Sequence, residues 1–158
     1  MNMANSFGNY LKISIFGESH SKAIGMTIDG LPAGLEINDA NIEKAMSLRH
    51  GIPELSTQRK EEDRVLFLSG VYEGHTTGSP LTFIIENKDV NSSSYQKGLV
   101  RPSHADMALY IKYNGYNDFN GGGASSGRLT AVFIVLGEIC KQILSKKDIK
   151  VISRIYSI

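Results

Sequence analysis

Between residues 10 and 16 apolar and polar positions alternate, Leu11, Ile13 and Ile15 against Lys12 and Ser14, which predicts a half-buried strand ending at Gly17. A second short strand is predicted over 24–28. Asp29-Gly30 closes it, and the proline and glycine of Leu31-Pro32-Ala33-Gly34 mark a turn. Asn38 or Asp39 is placed to cap a helix in which Ile42, Ala45, Met46 and Arg49 share a face, with Gly51 and Pro53 ending it. Residues 52–64 are polar and charged and predict a loop. The β-branched runs 65–71 and 81–86 predict two strands, joined through a turn at 74–80 and therefore antiparallel. A loop is expected at 91–94, and a short helix through Ala108, Leu109 and Ile111. After the glycine run at 121–123, Leu129, Val132, Phe133, Leu136, Cys140, Ile143 and Leu144 recur at three and four residues, the stripe of a long buried helix. Residues 151–158 have the pattern of a strand just beginning, so the chain is expected to stop short of a further part.

Composition narrows the picture. A chain of 158 residues, 41% hydrophobic and 21% charged, fits one globular domain and excludes disordered and collagenous classes. Lys and Arg number 17 against 16 Asp and Glu, a net charge of +1 that gives no general reason to expect nucleic acid or an anionic membrane as partner. Cys140 is the only cysteine, which excludes an internal disulfide and favours a reducing, cytoplasmic setting. No secretory leader is expected, and the apolar stretch 131–137 is too short to span a bilayer. The histidines at 20, 50, 75 and 104 lack ligand spacing, so no metal is expected.

Three segments carry candidate chemistry. In Gly17-Glu18-Ser19-His20 the glycine allows a sharp corner and sets an imidazole, a proton donor near neutral pH, at the end of a strand; a hydrogen-bonded structural histidine is the plainer alternative. In Arg101-Pro102-Ser103-His104-Ala105-Asp106 the carboxylate two residues past His104 is placed to orient its ring. The same spacing also suits a helix start with Ser103 as cap. In Gly121 through Arg128, small residues at the entrance to the long helix, two hydroxyls and Arg128 make a cradle for phosphate or carboxylate, or else a flexible hinge. It is no Walker loop, because Arg128-Leu129 stands in place of the required Lys and Ser/Thr. Two histidines with Arg49, Arg59, Arg101 and Arg128 suit a small, multiply anionic substrate.

Taken in order, these segments resemble the chorismate synthase family. The resemblance is carried by Gly17-Glu18-Ser19-His20, Asp29 through Gly34, Ser56-Thr57-Gln58-Arg59-Lys60-Glu61 with Asp63, and Leu68 through Gly74 with Thr76-Thr77-Gly78. It continues through Ile85-Glu86-Asn87-Lys88-Asp89, Arg101 through Asp106, Lys112-Tyr113, and Gly121 through Arg128. The resemblance implies an α+β fold, a β-α-β sandwich of antiparallel sheets and helices that assembles as a homotetramer, of which 1–158 would be the amino-terminal part. It implies a lyase of the shikimate pathway that eliminates phosphate from 5-enolpyruvylshikimate 3-phosphate to give chorismate, with reduced FMN as cofactor and NADP as an associated nucleotide. Carried over by position, His20 and His104 are the catalytic residues: the first protonates the departing phosphate, the second serves the flavin. Arg49, Arg101 and Arg128 would hold the substrate's anionic groups, Ser19 and Gly127 would line it, and Ala124, Ser125 and Ser126 would contact the flavin. Of the family's arginine-rich stretch only Arg49 is kept, in Ser47-Leu48-Arg49-His50-Gly51; Glu54 and Asn120 stand where basic residues are common. Without the remaining part the chain is expected to be inactive; the alternative is a non-catalytic remnant that binds flavin or an anion.

Overall fold

The structure, a computed structural model, describes residues 5–49, 63–88 and 95–157. The expectations for 50–62, with His50, Glu54 and Arg59, and for 91–94 lie outside these residues. Five strands form one antiparallel sheet: β1 (Ser6–Phe7), β2 (Lys12–Gly17), β3 (Ala23–Asp29), β4 (Val65–Ser69) and β7 (Leu81–Glu86), in the order β1-β2-β3-β7-β4. The strands predicted at 10–16, 24–28, 65–71 and 81–86 are thus present, and the last two are antiparallel as expected. One detail differs. The first of that pair stops at Ser69, and Gly70 turns the chain with φ +80 into a separate two-stranded ribbon, β5 (Val71–Tyr72) with β6 (His75–Thr76).

Period-two alternation decides which face of the sheet is covered. Ile24, Met26 and Ile28 on β3 lie opposite Ile85, Phe83 and Leu81 on β7, and all six are completely buried. At about 1.5–3 kcal/mol for each fully buried large apolar side chain, this face outweighs an exposed pair such as Lys141–Glu138, worth about 0–1 kcal/mol. The opposite face is more polar: Thr27 and Thr82 share a hydroxyl hydrogen bond of 3.0 Å, and the ring of Phe16 lies over Gly25, where any side chain would strike it.

Helix α1 (Asp39–Ser47) begins where the sequence predicts. The Asn38 side chain accepts from the Asn41 backbone N–H at 3.0 Å, and Ile42 and Met46 are buried. Helix α2 (Asp106–Lys112) is the expected short helix, but Ala105 rather than Ser103 precedes it and no side chain caps it. Helix α3 (Ala131–Ser145) packs on α1 and β3.

Two expectations are corrected. The buried positions of α3 are Ala131, Val132, Val135, Leu136 and Ile139, whereas Phe133 is 43% exposed and stacks on Phe7. The first ten residues of the helix are almost all apolar, so spacing alone does not choose the inward face; packing against α1 and β3 does. Residues 151–157 form no strand and are exposed. A strand exists only through its ladder partner, and none is present for this segment among the described residues. Sheet, ribbon and three helices make an α+β fold. No helix among the described residues is long and apolar enough to cross a membrane.

Candidate functional site

Gly17, with φ +92, ends β2 in the predicted corner, and the next four residues close a tight loop in which the Ser21 Oγ accepts from the Glu18 backbone N–H at 3.0 Å. The loop is tied down from a distance. The Asn87 amide donates to the carbonyls of Glu18 (3.0 Å) and Ser21 (2.8 Å), while its Oδ1 accepts from Arg128 Nε at 2.9 Å. The His20 corner and the end of the glycine-rich segment are therefore joined through one side chain on the residue that follows β7.

The glycine run itself packs against this corner. Gly121, Gly122 and Gly123 all have positive φ (+60, +100 and +52), a succession that side chains disfavour strongly. A Cβ at 121 would collide with the His20 imidazole and the Ser19 hydroxyl. Buried Ser19 is held by the same run, its N–H donating to the Gly123 carbonyl at 3.3 Å and its Oγ to the Asn120 carbonyl at 3.2 Å.

Beyond the run the chain forms two 3-10 turns, Gly123–Ser125 and Gly127–Thr130, before α3 starts at Ala131. The cradle therefore does not open directly on the amino end of the long helix, as the sequence suggested. The turns are three and four residues long, the short pieces in which 3-10 geometry is found, and both are complete before α3 begins. Ala124, Ser125 and Gly127 are exposed, and Ser126 caps the second turn by accepting from the Arg128 N–H at 3.3 Å.

Arg128 turns inward. Its side chain is 1% exposed; Nη1 donates to Asp63 Oδ1, Nη2 to the Glu86 carbonyl at 3.2 Å and Nε to Asn87. The other Asp63 oxygen accepts from Arg49 Nη1 at 3.1 Å, and Arg49 Nη2 reaches the Gly127 carbonyl at 3.3 Å. Two guanidiniums share one buried carboxylate beside the Gly127 turn, with Arg49 the more exposed of the two.

Arg101 approaches the same corner by another route. Both Asp106 oxygens bind it: Oδ2 accepts from Nε (2.8 Å) and from the Arg101 backbone N–H (3.0 Å), Oδ1 from Nη2 (2.9 Å). Asp106 thus clamps Arg101 and does not orient the His104 ring, because the left-handed turn at Ser103 (φ +62) folds the chain back on Arg101. His104 is exposed on this turn, its backbone N–H donating to the Arg101 carbonyl at 3.3 Å. The guanidinium lies 5.1 Å from the centre of the Tyr95 ring, and Tyr95 meets His20 edge to face, centroids 5.3 Å apart. Ser19, His20, Arg101 and the glycine run are therefore brought together. Arg49, Gly127 and Arg128 form a second cluster joined to the first through Asn87, and His104 stands at the rim beside Arg101.

The clamp has a pH signature. The hydrogen bonds from Arg101 pull the Asp106 carboxyl down from 3.8 to about 2 against the opposing effect of burial, and the pairing raises Arg101 in turn. A depressed carboxyl stabilises the fold above its unfolded pKa, and that contribution is lost as pH falls through the folded value. The Asp106 carboxyl ¹³C shift is expected to titrate with a midpoint near 2. Arg101→Met should return the midpoint toward the ordinary value of about 3.9; an unmoved midpoint would show that the clamp does not exist in solution.

Sequence reading gave no role to Tyr95, Asn87 or Asp63. A lone aromatic after a serine run carries no periodic signal, and a buried acid at a loop end cannot be told from a solvated one until its partners are known.

Comparison with known proteins fixes the lineage. The family model for chorismate synthase matches residues 11–158. The chain belongs to the chorismate synthase family. It is 46% identical over 146 residues to the chorismate synthase of Thermococcus kodakarensis and 48% identical over 150 residues to that of Azobacteroides pseudotrichonymphae, covering 91% and 93% of this chain. It spans 41% and 42% of the length of those two chorismate synthases. A crystal structure of a chorismate synthase superposes with a TM-score of 0.62 at 31% identity, covering 88% of this chain and 35% of that one. Several segments that carry the family likeness, Gly17 through His20, Arg101 through Asp106 and the glycine run, are the ones that converge around His20 and Tyr95.

Proposed function

We propose that this chain supplies the amino-terminal part of a chorismate synthase active site, acting on 5-enolpyruvylshikimate 3-phosphate to give chorismate and phosphate. The observation that carries this reading is the packing of the glycine run on His20, which puts a proton donor against a turn rich in backbone groups and small hydroxyls. In the 1,4-anti elimination the ring carbon–oxygen bond to phosphate breaks and a ring proton leaves; His20 gives its imidazole proton to the departing phosphate oxygen. Arg49 and Arg101 hold the anionic groups by charge-assisted hydrogen bonds, with Ser19 and Gly127 lining the substrate. Arg128 contributes from behind the turn, its charge shared with Asp63.

The exposed Ala124-Ser125 turn and the Ser126 hydroxyl offer small, polar contacts, and among the described residues no neighbouring atom lies within 4 Å of where a Cβ would stand at Gly127. That surface suits a flavin, so Ala124, Ser125 and Ser126 would hold reduced FMN with His104 serving it. Reduced FMN held there would supply transient electron donation to the substrate, with no net redox change. The whole enzyme is proposed to work in the cytoplasm as a homotetramer, with NADP on the side of flavin reduction.

The test joins this chain to the carboxyl-terminal portion of the T. kodakarensis relative. Supplied anaerobically with reduced FMN and substrate, the completed protein should form chorismate, and the 158-residue chain alone should form none, since no group identified here removes the ring proton. A completed protein that binds FMN and forms no chorismate would establish the non-catalytic remnant instead.

A further inference from the structure

His20 is fenced on two sides by groups of different origin. Gly121 leaves no room for a side chain along the Cδ2–Nε2 edge of the imidazole. Tyr95 meets the ring perpendicularly, at an interplanar angle of 89°. The Tyr95 ring is in turn the surface on which the Arg101 guanidinium rests, and Arg101 is immobilised by three hydrogen bonds to Asp106. Edge-to-face aromatic contacts and cation–π contacts both depend on orientation, so the half-buried His20 ring is held at a defined angle.

We infer that Tyr95 is a positioning residue for His20. Its ring sets the imidazole's orientation and couples it to Arg101, so the proton donor and the anion-binding arginine keep a fixed relation. The inference rests on the proposed role of His20 only for its catalytic consequence; the contact itself is tested without activity. The aromatic ring is the active part, and the hydroxyl is dispensable to it.

The test uses the purified 158-residue chain and NMR of its histidine ring protons. In the wild-type chain a nuclear Overhauser effect is expected between the His20 and Tyr95 rings. Tyr95→Leu should remove the ring-current shift of the His20 resonances, and Tyr95→Phe should leave them near their wild-type positions. The shifts produced by the Phe7–Phe133 stack, remote in sequence, should stay unchanged in both. Absence of the Overhauser effect, unmoved His20 resonances in Tyr95→Leu, or equal displacement in Tyr95→Phe would overturn the inference. The wild-type measurement decides the contact even if Tyr95→Leu does not fold. In the completed enzyme Tyr95→Leu should lower kcat roughly 10–100-fold with KM little changed, because misplacing a reacting group by about 1 Å can cost on the order of 10²-fold. Tyr95→Phe should restore most of that loss. A KM effect with unchanged kcat would assign Tyr95 to Arg101 alone and overturn the coupling to His20. If the completed wild-type enzyme is inactive, the proposed function fails while the NMR result still decides the positioning.

Discussion

Asp63→Ala is expected to destabilise the fold by about 3–5 kcal/mol, the range for breaking a buried ion pair from one side. The reason is what remains. Arg128, with 1% of its side chain exposed, would keep its charge inside the protein after losing the carboxylate that Asp63 presents to its Nη1. Domains of this size are stable by only about 5–15 kcal/mol, so the loss is a large fraction of the whole. Arg49→Ala removes the other partner of the same carboxylate, but its side chain is 23% exposed and water can replace part of what is lost. Its cost is expected nearer about 1 kcal/mol. Replacing both buried partners by apolar residues of similar size, Asp63→Leu with Arg128→Met, should recover much of the loss, since such swaps are often neutral. Urea unfolding of the three variants beside the unsubstituted chain decides it. Asp63→Ala and Arg49→Ala costing the same would show that the carboxylate is solvated and the buried pair does not exist.

His20→Ala in the completed enzyme should lower turnover roughly 10²–10⁴-fold, the usual loss on removing a positioned proton donor. The expectation rests on position. His20 is pressed between Gly121 and Tyr95 at the corner where the family-bearing segments meet, and Asn87 anchors its loop to the Arg128 cluster. His104→Ala should fall in the same range if it serves the flavin as proposed, from its place on the turn beside Arg101. His75 is the comparison: it is exposed on the two-stranded ribbon, with Nδ1 2.9 Å from the Glu73 carbonyl. Its replacement by alanine should leave turnover within a few-fold of wild type. Equal losses at His75 and His20, measured as kcat under anaerobic conditions, would remove the ground for assigning the proton donor.

These outcomes divide the molecule along a physical line. What the sequence by itself determined was local. Alternation marked the strand around Ile13, because one wrong step of register would turn a whole apolar face to water, and β-branched runs marked those around Phe67 and Phe83. Asn38 or Asp39 before an apolar-periodic run marked the start of α1, and Gly17 marked a sharp corner. The likeness to chorismate synthases was legible for the same reason, since it resides in short contiguous segments such as Gly17 through His20 and Arg101 through Asp106. Tertiary structure alone decided which charges meet. Asp106 stands two residues from His104 in the chain yet clamps Arg101; Arg128, expected to face a ligand, is buried on Asp63, 65 residues away. The inward face of α3 was likewise set by α1 and β3, because a helix apolar on every side carries no directional pattern of its own. Side-chain pairing between distant segments depends on how the backbone brings them together, and burial then fixes the choice, since a charge removed from water must find its counterpart within hydrogen-bond reach. Tyr95 belongs to this second class: nothing in its neighbours along the chain foretells that its ring stands between a histidine 75 residues before it and the arginine that follows.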